Sequence, residues 1–318
     1  MNLLITGASG FVGKNTLLRL PNNWSVTAVY YQSSNFEDWL GRAGLQNVVA
    51  ARCDLADPSA VRELVSKTGR HFDACLYLAA NGDPAASSVR VAWDLQSNTL
   101  ALVNFLENYH VGHLVYVSSG AVYDGHIGSV SPSIDVRPRL PYAISKLGAE
   151  HYVRFFGELR RSVGSYFNVR FFGAYGPYEP ERKITSRWLK AVNAGDREFT
   201  VRGDGSNLID FMHVSDAVRG LLMLLNKAGE SATLDFASKT PMTIKEVVST
   251  MCEALKVEIA IRCEGRVPEC IRFQTSDDFM ERTFGFRPTM DLSDGIRDLQ
   301  MALANYTYSQ RMAVNLIK

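Results

Sequence analysis

The sequence predicts a doubly wound, parallel α/β sheet followed by a smaller, mixed α/β C-terminal domain, and three observations predict it. Apolar runs recur about every 25 residues through the first half. Helical patterns occupy the gaps between them. The runs show little polar alternation, as strands do when helices cover both faces of a parallel sheet.

The elements follow in order. Asn2–Thr6 reads as the first strand and residues 12–20 as the first helix. Strands at 26–31 and 48–52 precede a helix at 59–66, and a strand at 74–80 precedes a long helical pattern at 89–109. A strand at 114–118, a helix at 142–159 and a strand at 168–172 complete the regular alternation. Beyond it, Gly173, Gly176, Pro177 and Pro180 mark a loop. Helices at 185–194, 214–225, 244–255 and 292–306, with a strand at 259–263, make up the rest. The expected division is residues 1–173 as one domain and 174–318 as a second, with a segment at about 208–226 packing back on the first.

Composition narrows the function classes. Of 318 residues, 46% are hydrophobic and 21% charged, a globular balance. Thirty-four Lys and Arg against 33 Asp and Glu leave a formal charge of +1, which gives no electrostatic case for a nucleic acid or an anionic membrane as partner. Five Cys without a C-x-x-C pair do not make a disulfide framework and suit a reducing compartment. With no long apolar span and no basic leader, a soluble cytoplasmic protein is expected. The six His show no ligand spacing, so no metal site is expected.

Between the first strand and the first helix stands Thr6-Gly7-Ala8-Ser9-Gly10-Phe11-Val12-Gly13. Gly7, Gly10 and Gly13 allow a tight turn, backbone approach to a pyrophosphate and close helix–strand packing, while Phe11 and Val12 open the helix whose N-terminus meets the phosphate charge. This points to a dinucleotide on a Rossmann-type sheet. Asp54, followed by Leu55, could accept the adenine amino group or cap a helix. Leu78, Ala79 and Ala80 end the fourth strand with small residues over which a cofactor can lie. The second strand ends Tyr30-Tyr31-Gln32-Ser33-Ser34, without the acid that binds ribose hydroxyls and without a nearby Lys or Arg for a 2′-phosphate. NAD is the expected cofactor, with NADP left open.

Tyr142-Ala143-Ile144-Ser145-Lys146 places a phenol and an ammonium on one helix face, where the cation is expected to pull the tyrosine pKa down. It follows the strand end Ser118-Ser119-Gly120-Ala121-Val122-Tyr123. With the glycine turn, these motifs make the chain resemble the extended short-chain dehydrogenase/reductases, in the nucleotide-sugar epimerase/dehydratase branch. The likeness continues through Arg170-Phe171-Phe172-Gly173-Ala174-Tyr175-Gly176-Pro177, Gly203-Asp204-Gly205, the run from Asp210 to Asp216, and Phe284-Gly285-Phe286-Arg287-Pro288.

The resemblance implies that Tyr142 exchanges a proton with a sugar oxygen, that Lys146 binds the nicotinamide ribose and tunes Tyr142, and that Ser119 hydrogen-bonds the reacting oxygen. Ser118 reads as a structural hydroxyl. Asn98 and Phe172 match positions near the cofactor. Gly173 stands where the family often has Asn, Arg266 and Glu269 match a diphosphate contact, and Arg202 or Arg182 would add charge. Gly120 and Ala121 replace the acid of dehydratases and the Cys of enzymes that epimerise beside a ketone, and Ile209 replaces a frequent Arg. The implied activity is 4-epimerisation of a nucleotide-diphosphate sugar through a 4-keto intermediate. The alternatives are an NADPH-dependent 4-keto-sugar reductase and, from another class, a non-catalytic dinucleotide sensor. A homodimer is also implied, with Leu147, Tyr152, Phe155 and Phe156 offering apolar surface.

Overall fold

A computed structural model describes residues 1–266 and 271–315, with 305–315 as helix backbone. The first half runs β1 (Asn2–Thr6), α1 (Phe11–Leu17), β2 (Ser25–Tyr30), α2 (Phe36–Ala43), β3 (Val48–Arg52), α3 (Pro58–Thr68) and β4 (His71–Tyr77). It continues with α4 (Pro84–Val89), α5 (Val91–Leu95), a π-helical turn (Gln96–Leu100), α6 (Ala101–Asn108), β5 (His110–Ser119), β6 (Ile127–Val130), α7 (Pro141–Glu158) and β7 (Val163–Phe171). The second half begins with β8 (Ala174–Tyr175), α8 (Ile184–Ala194), β9 (Glu198–Arg202), β10 (Leu208–Ile209), β11 (Met212–His213), α9 (Val214–Leu225) and β12 (Ala232–Phe236). It ends with β13 (Met242–Thr243), α10 (Ile244–Leu255), β14 (Ala260–Glu264), β15 (Arg272–Thr275), α11 (Phe279–Phe284) and α12 (Leu292–Asn315).

Seven strands form one parallel sheet in the order β12-β7-β5-β4-β1-β2-β3. Period-two side-chain alternation sorts its residues to two cores. Leu3, Ile5, Leu76, Val115 and Phe167 face α1 and α9, whereas Leu4, Cys75, Tyr77, Leu114 and Tyr116 face α3, α6 and α7. The chain returns to this sheet after its C-terminal excursion, because α9 packs on α1 and β5 and β12 pairs with β7, Ala232 opposite Phe167. A separate core around Trp188, Val247, Met251 and Ile296 holds α8, α10 and α12 together. No helix among the described residues is long and apolar enough to cross a membrane.

Several bounds differ from the sequence reading. α2 was absent from it, although Glu37 and Asp38 in the first turn and Gly44 at φ +67° mark its two ends. The 89–109 pattern is no single helix: Arg90, at φ −124° and ψ 61°, breaks it, and the π-helical turn follows. The first helix stops at Leu17, and the fourth strand at Tyr77, three residues short of Ala80. Phe156 lies in the core and Leu147 packs beside the Val122–Tyr123 cluster, so neither belongs to a free surface.

Candidate active site

The glycine turn is shaped from inside and outside. Gly7 sits at φ +64°, and a β-carbon there would lie 2.8 Å from the Ala79 nitrogen. At Gly13 a β-carbon would meet the Gly7 and Ala8 carbonyl oxygens at 2.6 Å. Those two positions are glycine for the fold itself. Gly10 is different: its backbone is ordinary, at φ −76°, and a β-carbon would meet just the Gly7 oxygen, at 3.1 Å. Its missing side chain keeps open the space over the turn, as close approach of a pyrophosphate requires. Thr6 ties the turn to β4 by accepting from the Leu78 and Ala79 N–H groups, both at 3.1 Å.

This turn forms one wall of a cleft of about 630 Å³. Gly7, Gly10, Phe11, Val12 and Gly13 line it with Leu78 and Ala80, and opposite stand Ser119, Tyr142, Lys146, Phe172 and Gly173. A second cavity of about 690 Å³, beside Phe211 and Met280, contains none of these residues. The remaining expectations fall elsewhere. Ala79 and Asn98 stand behind the lining, and Asn98 is buried, its Oδ1 accepting from the Asn81 N–H at 2.7 Å and its amide donating to Asp94 and Ser145. Asp54 accepts from the Ala56 N–H and hydrogen-bonds the Tyr31 phenol, while Asp57, not Asp54, caps α3. Leu55 is a core residue. Arg202 and Arg266 are exposed and do not line the cleft. Glu269 lies outside the described residues.

Among the described residues, the cations that do line the cleft are Lys146, Arg182 and Lys183. Arg182 donates to the Gly82 carbonyl at 2.5 Å and pairs with Asp83 at 3.3 Å. Lys183 donates to the Ala174 carbonyl at 2.6 Å, and burial pulls its pKa down. Lys183 escaped the sequence reading; a basic pair in the loop after Gly176-Pro177 was its one signal. Glu37 was also missed. It accepts from the Tyr30 hydroxyl at 2.5 Å, bringing a carboxylate to the end of β2.

The sequence motif at α7 comes together with β5. Ser119 ends β5 and hydrogen-bonds the Tyr142 phenol, while its Oγ accepts from the Ala121 N–H at 3.1 Å. Ser118 donates to buried Glu150 at 2.5 Å. The Lys146 Nζ donates to the Val117 carbonyl at 2.6 Å and lies 4.4 Å from the Tyr116 ring centre. Burial lowers its pKa to about 7, against the opposing pull of Glu150 and Asp94. The Tyr142 phenol is pushed up, not down: burial dominates, the Ser119 hydrogen bond opposes it, the Asp94 charge adds to it and Arg182 opposes it. Phe172 occupies the space beside Gly120, where a β-carbon would lie 3.0 Å from the ring. No group of three or more metal-ligating side chains converges among the described residues.

Known proteins resemble this chain over most of its length. Residues 3–235 match the model of a family described as the NAD dependent epimerase/dehydratase family. A dTDP-glucose 4,6-dehydratase of Actinoplanes sp. is 27% identical over 315 residues, 94% of this chain and 96% of that one. A dTDP-4-dehydro-6-deoxy-D-allose reductase of Streptomyces sp. is 28% identical over 84% of this chain and 85% of its own. Among solved structures, MoeE5 in complex with UDP-glucose and NAD superposes with a TM-score of 0.85 at 25% identity, over 96% of this chain and all (100%) of that one. The UDP-glucose 4-epimerase of Thermotoga maritima shares the fold, with a TM-score of 0.86 at 21% identity over 96% of this chain and 100% of its own.

Proposed function

Because the chain belongs to the NAD dependent epimerase/dehydratase family, we propose that it is a nucleotide-diphosphate-sugar 4-epimerase. The observation that carries this reading is the convergence of Ser119, Tyr142 and Lys146 on the cleft beside the glycine turn, with Gly120 and Ala121 supplying no further acid or base. Relatives include a 4,6-dehydratase, but elimination needs a second acid–base group, and the two positions directly after Ser119 supply none, Phe172 filling the place beside Gly120.

The space above Gly10 fits a dinucleotide pyrophosphate, with Gly7, Phe11, Val12 and Gly13 around it and Leu78 and Ala80 along the adjoining edge. NAD, when bound, supplies a reversible hydride acceptor for the sugar carbon. Glu37 at the end of β2 supports NAD over NADP, since a carboxylate repels a 2′-phosphate. Tyr142 takes the proton from the C4 hydroxyl and returns it when the 4-keto sugar is reduced on its other face. Ser119 orients that oxygen. Lys146 would hold the nicotinamide ribose, and Arg182 and Lys183 would offer positive charge to the substrate diphosphate.

A second reading, reduction of a 4-keto sugar, draws support from the raised Tyr142 pKa, which favours the protonated phenol that a ketone needs. Turnover on a panel of UDP- and dTDP-sugars and their 4-keto forms separates the readings. Epimerisation interconverts C4 epimers without net consumption of reduced cofactor, whereas the reductase consumes it mole for mole. In either case Tyr142→Phe keeps fold and cofactor binding and loses about two to four decades of turnover, and Ser119→Ala loses less. A Tyr142→Phe protein as active as the parent overturns the assignment. A parent that binds NAD but turns over none of the panel is the outcome for a sensor.

A further inference from the structure

Behind the wall that carries Tyr142 lies a carboxylate with no ion-pair partner among the described residues. Asp94, on α5, is 1% exposed. Its Oδ1 accepts from the Asn81 amide at 2.9 Å, the Ser87 hydroxyl at 2.6 Å and the Asn98 amide at 2.8 Å. Its Oδ2 accepts from the Ser145 hydroxyl at 2.7 Å. All four partners are neutral donors, so none of them cancels a charge on the carboxylate. Ser145 stands between Tyr142 and Lys146 on α7. Its hydroxyl also reaches the Tyr142 carbonyl at 2.9 Å, and its own carbonyl is held by Thr99 at 2.8 Å. The neutral network therefore anchors an anion to the helix turn that presents both groups.

We propose that Asp94 is a positioning residue whose charge keeps the protons on Tyr142 and on Lys146, a role that rests on the reading of those two side chains as the proton-transfer pair. A buried anion disfavours a nearby phenolate and favours a nearby ammonium, so one carboxylate acts on both groups in the same direction. On Tyr142 Asp94 is the carboxylate that acts, and on Lys146 it acts beside Glu150. Tyr142 is faced by Ser119 from β5 and by Arg182 from the loop before α8, and Arg182 acts in the opposite sense. Lys146 is faced by the Tyr116 ring and by Glu150, one helical turn further along α7. Glu150 is forked by Arg170 at 2.9 to 3.2 Å and pulls on Lys146 in the same sense as Asp94. Asp94 is the charge that acts on both groups. It biases the pair at rest toward phenol and ammonium, the form that donates to a ketone oxygen.

The test titrates Tyr142 directly. Tyrosinate ultraviolet absorbance is followed against pH for each protein and for its Tyr142→Phe counterpart, and the difference isolates this phenol. Asp94→Asn should lower the Tyr142 midpoint by about one pH unit or more, and the alkaline rise of kcat/KM on the 4-hydroxy sugar should move with it. Ser145→Ala removes one hydrogen bond but keeps the charge, and should leave the midpoint where it is. The new amide would face Ser145 with a donor, so Asp94→Asn/Ser145→Ala carries the same test if the single variant does not fold. An unmoved midpoint in a folded Asp94 variant overturns the proposal, as does an equal shift in Ser145→Ala. The titration needs no substrate: a shifted midpoint in a protein without nucleotide-sugar turnover upholds the role of Asp94 and overturns the catalytic reading instead.

Discussion

Phe172 lies against Gly120 so closely that a β-carbon at 120 would come within 3.0 Å of the ring. The missing acid after Ser119 is thus a matter of space as well as chemistry. Gly120→Asp should destabilise the fold by roughly 1–3 kcal/mol through overpacking. Phe172→Ala made together with it should recover part of that loss. Urea denaturation of the two single variants and the double variant measures the coupling, and strict additivity would reject the steric account.

Gly10 separates ligand space from fold space. Gly10→Val should keep a cooperative melt near that of the parent and weaken NAD binding by at least about tenfold, because its backbone suits any residue while its side chain enters the cleft. Gly13→Ala should instead lower the melt, since its β-carbon strikes two backbone oxygens. Calorimetric NAD titration beside circular dichroism distinguishes them, and unchanged affinity in Gly10→Val would count against the placement of the cofactor.

Lys146 makes stability depend on pH in a definite direction. Its folded pKa, about 7, lies below the ordinary lysine value of 10.5, so between these the unfolded chain holds a proton that the folded chain has released. That proton uptake on unfolding makes stability rise with pH across the window; below about 7 the penalty for burying the ammonium is present in full. Lys146→Met should be more stable than the parent at pH 7, and the difference should shrink toward pH 10. A constant difference between their urea midpoints across the window would contradict this.

The exposed face of α5 and α7 is expected to join two copies of the chain. Val91 and Leu95 on α5 stand exposed, as do Ile144, Tyr152 and Phe155 on the neighbouring α7. The parent should sediment as a dimer, and Tyr152→Asp/Phe155→Asp should sediment as a folded monomer. Phe156→Ala, by contrast, should cost about 3–5 kcal/mol of fold stability, because Phe156 belongs to the core. A parent that stays monomeric at every concentration rejects the interface.

Local signals were legible and spatial ones were not. α9 and α10 have the bounds their apolar spacing suggests, and the glycine turn stands where its three glycines require it. α2 could have been read from Glu37, Asp38 and Gly44, but its short length hid it between two strands. The break at Arg90 leaves apolar spacing on both sides undisturbed, so periodicity ran through it. At the site, the i, i+4 spacing put Tyr142 and Lys146 on one face correctly. It carried no information about the Val117 carbonyl that takes the ammonium or the burial that governs the phenol. Arg202 and Arg266 matched a pattern, yet which arginine reaches the cleft depends on how the C-terminal elements pack, and Arg182 and Lys183 arrive there instead.

The return of β12 to the edge of β7 has a consequence for recombining this chain with its relatives. A crossover placed just after β7 would graft a foreign strand onto five native register positions, from Phe167 to Phe171, and set foreign side chains against Tyr123, whose hydroxyl donates to Asp235 at 2.7 Å. Chimeras that exchange the C-terminal half while retaining residues 232–236 from the same parent as β7 keep both the ladder and that buried bond. The C-terminal half of this chain is therefore exchangeable as two separate inserts flanking β12, not as one contiguous cassette.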